Sequence, residues 1–153
     1  MRQRWQPVAI LAGILFAINA VARLIIWQAN IADESNQTTI GFLAFIAIGL
    51  VFVAVSAWWA IRYPLSRVAG DLLVAGLAGC LLSVFVGPFF GGASPFAEGG
   101  GLVMVQIVQY LLLALLGTFL GVLGVIALGR DWKTRVWKQR EAQLKKRTER
   151  SSR

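Results

Sequence analysis

Four long apolar stretches, at about residues 8–27, 40–61, 72–90 and 101–129, dominate the chain, with short polar connections between them. Each is close to or above the ~20 residues that a helix needs to cross a ~30 Å hydrocarbon core. None shows the strict alternation of a barrel strand, and in hydrocarbon a lone segment satisfies its own backbone only as a helix. The pattern therefore predicts an all-α fold: an integral membrane four-helix bundle over residues 1–129, followed by a separate tail over 130–153.

The tail reads RDWKTRVWKQREAQLKKRTERSSR, without Gly or Pro, and carries ten basic and three acidic residues. Leu128, Trp132, Val136, Trp137 and Leu144 fall along one side of a helical wheel. This predicts a basic amphipathic helix whose first half continues the fourth span and bends onto the membrane surface. Trp132, Lys133, Arg135, Trp137, Lys138, Arg140, Lys145, Lys146 and Arg147 are its expected contacts with anionic headgroups.

Composition fits this reading. The chain has 153 residues, is 58% apolar and 14% charged, and has a mean hydropathy of +0.69, whereas soluble domains carry about 25% charged residues. The net charge of +8 resides mostly in the tail, which holds ten of the fifteen Lys and Arg residues. That localisation argues against a nucleic-acid-binding surface, and a tail of this length holds no folded recognition module.

The remaining cations set orientation. Arg2 and Arg4 precede the first span, and Arg62 and Arg67 lie between the second and third. The other two connections carry Asp33, Glu34 and Glu98 instead. The positive-inside rule then places both termini in the cytoplasm of a bacterial plasma membrane. Arg2 and Arg4, the apolar run and Ala20-Val21-Ala22 also fit a cleavable signal peptide. Apolar residues continue past that site to Trp27, which favours an uncleaved first span. Trp5, Trp27, Trp58, Trp59 and Trp132 lie near span ends and read as interfacial anchors.

Helices in lipid associate through close backbone contact at small residues. Small residues recur every four positions at Ala9, Gly13 and Ala17 in the first span, at Ala75, Gly79, Ser83 and Gly87 in the third, and at Gly117 and Gly121 in the fourth. The longest ridge makes the third helix the expected centre of the bundle. The same surfaces suit a second copy or another membrane protein.

Candidate chemistry is sparse. The chain has no His and a single cysteine, Cys80, within an apolar run. No nucleophile elbow, carboxylate pair or phosphate loop is present, so no catalytic residue, metal or cofactor is assigned. Polar residues in the outer half of the spans, Asn19, Arg23, Gln106 and Gln109, with Glu98 in the loop before the fourth helix, form the candidate polar site. Arg23 is also close enough to the outer end to snorkel. Asp71 is expected at the start of the third helix, complementing its dipole. The outer loop GPFFGGASPFAEGGG is expected to dip into the interface without folding.

Eleven Arg against four Lys, with Ala, Gly, Val and Leu predominant, give the whole chain a resemblance to small uncharacterised four-span integral membrane proteins of high-GC bacteria. The resemblance implies a fold and no activity. The leading expectation is a non-enzymatic accessory, assembly or scaffold protein, acting through helix contacts and the basic tail. The alternatives are a small, possibly dimeric, channel or transporter using the outer polar site, and an anionic-lipid sensor. The spans show neither an internal repeat nor the patterns of fluoride channels or small multidrug transporters.

Overall fold

A computed structural model describes residues 2–29, 34–96, 99–130 and 132–151. Helix α1 spans Arg2–Gln28 and α2 spans Glu34–Arg62. Helix α3 covers Leu65–Leu81, α4 Gly100–Ala127 and α5 Trp132–Ser151. Four helices are long and apolar enough to cross a membrane, the third of them running on to Gly91 through a change of helical form. This makes the chain an all-helical, multi-pass bundle.

That change of form has a local cause. Pro88 has no N–H to donate, and its ring crowds the carbonyl four residues earlier. The helix answers by widening into a π-helical turn, Leu82–Val86, closed by the Gly87 N–H donating to the Leu82 carbonyl. It then tightens into a 3-10 segment, Gly87–Gly91. Gly92, at φ 70°, ends the span in the left-handed region that glycine adopts without steric cost. The outer loop is more structured than its composition suggests. Phe90 meets Phe16 edge-on at 5.7 Å, and Phe96 tilts against Phe85 at 6.2 Å.

Around the bundle the order is α1, α2, α4, α3. Helices α2 and α4 make the most extensive contact, α1 packs along the third span, and α1 does not meet α4. The third span is the most enclosed: 50% of its apolar 18-residue stretch is buried, against 22% of the corresponding stretch in each of the other three. Leu15, Ile48, Phe52, Val68 and Ala75 form the best-buried part of the core. Phe52 stands edge-on to Tyr110 at 6.5 Å.

Three expectations need correction. Helix α3 begins at Leu65, directly after Pro64, so Asp71 lies beyond the first turn. It is 7% exposed and pairs with Arg67 one turn earlier, Arg67 Nε to Asp71 Oδ2 being 3.4 Å. The tail does not continue the fourth span. Gly129 sits at φ 60°, its N–H donates to Ile126 O at 2.9 Å, and the Arg130 N–H donates to Val125 O at 3.1 Å. That pair of bonds is a Schellman cap, which terminates α4 and lets α5 start afresh. Finally, Ala9, Gly13 and Ala17 face outward, with nothing within 4 Å of a Cβ built on Gly13. Val8, Leu11, Ala12 and Leu15 form the buried side of α1.

Candidate functional site

At the end of the bundle where the third span changes form, Asn19 and Arg23 are one turn apart on α1 and both partly buried. Arg23 Nε donates to Asn19 Oδ1 at 2.9 Å. The pair lies against the third span where it changes form: a Cβ on Gly87 would sit 3.1 Å from Asn19 Oδ1 and 3.2 Å from Arg23 Nε. Gly87 thus makes room for a charged pair beside a widened helix.

Gln106 and Gln109, two further members of the expected outer site, do not join it. Gln106 is half-buried and Gln109 exposed on α4, which has no contact with α1. Around the bundle α2 and the third span lie between these two helices. Glu98 lies outside the described residues. Of the five-residue site the structure brings together Asn19 and Arg23, beside Gly87.

The small-residue positions of the third and fourth spans are buried: Ala75, Gly79, Ser83 and Gly87 on one side, Gly117 and Gly121 on the other. A Cβ on Gly79 would come within 2.7 Å of the Tyr110 hydroxyl and 3.2 Å of Leu15. Tyr110 OH lies beside Ser83. Both hydroxyl oxygens are buried without a hydrogen-bonding partner among the described residues.

At the opposite end the ends of three helices line a partly open cavity of about 110 Å³, formed by Pro7 of α1, Trp58, Trp59 and Arg62 of α2, Tyr63 of the connection, and Arg67 and Asp71 of α3. The Arg62 guanidinium lies over the Trp58 ring, 4.5 Å from its centre, and that of Arg67 over Tyr63 at 4.3 Å. Trp59 is 6% exposed and belongs to the core, so it is not an interfacial anchor. Sequence reasoning missed this cavity. Arg62 and Arg67 read as markers of orientation, and nothing local signals that Pro7 closes over them.

In α5, Lys133, Arg135, Trp137, Lys138 and Arg140 are exposed, as is Trp132 at 40%. Lys145, Lys146 and Arg147 continue the same helix. The helix touches the bundle through α2, so its charge lies near the end that bears Arg62 and Arg67. Among the described residues no cluster of three His, Cys, Asp or Glu side chains is arranged to hold a metal ion. Comparison with protein families, with characterised proteins and with solved structures finds no match.

Proposed function

We propose that this chain is a non-enzymatic accessory or scaffold protein of a bacterial plasma membrane, with both termini in the cytoplasm. In this reading it offers its lipid-facing helices to other membrane proteins and its basic tail to the inner surface. One observation carries the reading: polar side chains such as Ser56 and Asn19 are engaged within the bundle, while exposed cations are collected on α5. Ser56 donates to its own helix at Val53 O, 3.1 Å away, and Asn19 holds Arg23. The exposed cations of α5 lie beyond α4, on a helix that a Schellman cap has freed from it.

The experiment has two parts. Phosphatase and fluorescent-protein fusions at residues 35, 66, 96 and 153 test the orientation, and an active phosphatase at 66 or 153 refutes it. Replacing Lys133, Arg135, Lys138 and Arg140 by Gln in the full chain should leave detergent stability unchanged and abolish salt-sensitive binding to anionic vesicles. Unaltered binding refutes a role for the tail.

A second reading, transport, draws on the charged pair beside the widened third span. Discontinuous helices next to a charge recur at transporter sites. Uptake assays on Arg23→Leu in proteoliposomes distinguish it from the scaffold reading, which expects no flux from wild type or variant.

A further inference from the structure

The cavity at the Arg62 end combines features that the scaffold reading does not use. A guanidinium stacked on an aromatic ring spends its face on the ring and keeps its N–H donors, which lie in its plane, for another partner. Arg62 is in that state: it covers Trp58, and among the described residues it makes no hydrogen bond or ion pair. Arg67 covers Tyr63 and gives Nε to Asp71, which leaves its terminal nitrogens directed elsewhere. Two cations against one carboxylate give the cavity a net positive charge.

The surroundings select among anions. Trp58 is 53% exposed and Leu65 is 45% exposed, so an apolar surface runs from the mouth of the cavity along α2 and α3. A soluble anion gains nothing from that surface. A glycerophospholipid gains from both parts, with its phosphate on the arginine fork and its acyl chains along the helices.

We propose that the cavity formed by Pro7, Trp58, Arg62, Tyr63, Arg67 and Asp71 is a binding site for the phosphate of an anionic glycerophospholipid. The site is part of the bundle and distinct from the diffuse charge of α5. Its pre-stacked arginines form a geometric receptor for phosphate oxygens, which accept paired N–H donors from Arg more strongly than from Lys.

The test uses the full-length protein in neutral detergent, titrated with phosphatidylglycerol, phosphatidylcholine or inorganic phosphate, with bound lipid counted by native mass spectrometry and thermal stability followed in parallel. At high salt the exposed charges of α5 are screened, which isolates the cavity. Phosphatidylglycerol should bind at one site and raise the melting temperature, and Arg62→Gln should weaken that binding by about tenfold, as expected for a lost charge-assisted bond. Arg62→Lys should fall between the two, because it keeps the charge and loses the fork. Trp58→Leu, which keeps Arg62 but removes its support, should also weaken binding. Equal affinity for wild type and Arg62→Gln overturns the proposal, as does equal binding of phosphatidylcholine. Tight binding of inorganic phosphate alone overturns the lipid source. Unaltered vesicle binding by the α5 glutamine variant, with lipid binding in the cavity intact, would sink the tail's part in the scaffold reading and leave the site standing.

Discussion

The two seams of the bundle use the same device, small residues at four-residue spacing, against different opponents. Along α2 and α4, a Cβ on Gly117 would come within 2.9 Å of the Gly49 carbonyl oxygen, and one on Gly121 would collide with the Val53 carbonyl and Ser56 Oγ. Backbone lies against backbone there. Along α1 and the third span, Gly79 and Gly87 face side chains: Leu15 and Tyr110 for the first, Asn19 and Arg23 for the second. A side chain can turn aside and a carbonyl in a helix cannot. The α2–α4 seam is therefore the rigid one, and the α1–α3 seam is the one that can adjust.

Breaking the rigid seam should have the largest effect. Gly121→Leu is expected to prevent assembly of a stable bundle, and Gly121→Ala to cost about 1–3 kcal/mol, the usual range for overpacking a close contact. Melting in detergent and cellular abundance are the readouts. Gly13→Leu, on the open face of α1, is the control and should melt like wild type. If Gly121→Ala also melts like wild type, the two seams do not differ.

On the adjustable seam, Gly79→Ala should cost less than Gly121→Ala, because the nearest obstacle is the tip of a side chain. Tyr110→Phe removes that tip. The Tyr110 hydroxyl lies beside that of Ser83 but forms no hydrogen bond of good geometry among the described residues, and a poorly paired buried group carries a desolvation cost of about 1–3 kcal/mol, so Tyr110→Phe alone should leave stability unchanged or raise it. It should also recover most of the loss in Gly79→Ala. A double-mutant cycle with no coupling would mean that the two groups do not meet.

Smaller effects are expected at the outer end. Arg23→Lys loses the Nε bond to Asn19 and should cost about 1 kcal/mol, measured as a shift in detergent melting. Gly87→Ala should cost less still, as Arg23 swings away. If Arg23→Lys and Arg23→Leu both match wild type, Arg23 only snorkels and the outer polar pair has no structural weight.

The spans were legible because hydrocarbon demands long apolar helices, and their positions in the sequence match α1 to α4 closely. Which side of each helix faces inward was less legible. In lipid both faces are apolar, so α1 gives no periodic signal to separate Leu11 and Leu15 from Ala9 and Gly13. Small residues at a spacing of four were a fair guide in the third and fourth spans and a poor one in the first, where the ridge faces out. Two breaks carried readable marks that spacing alone did not reveal: Pro88, which widens the third span, and Gly129, whose place just past an apolar run suits a helix-terminating turn. The cavity beside Arg62 depends on three helix ends meeting, which no local pattern records.

The π-helical turn has a consequence for angular phase. In an α-helix, four residues overshoot one full turn by roughly 40°, so a ridge at this spacing creeps around the cylinder and after three steps points about a third of a turn away. A turn closed by a bond five residues back holds more than four residues, so within it the same four-residue step falls short and rotates the ridge back. Leu82–Val86 contains the third member of the ridge, Ser83, and ends just before the fourth, Gly87. Ala75, Gly79, Ser83 and Gly87 are all buried, although a uniform helix would have carried Gly87 off the face that Ala75 begins. The wide turn imposed by Pro88 is a phase correction, and it brings Gly87 round to meet Asn19 and Arg23.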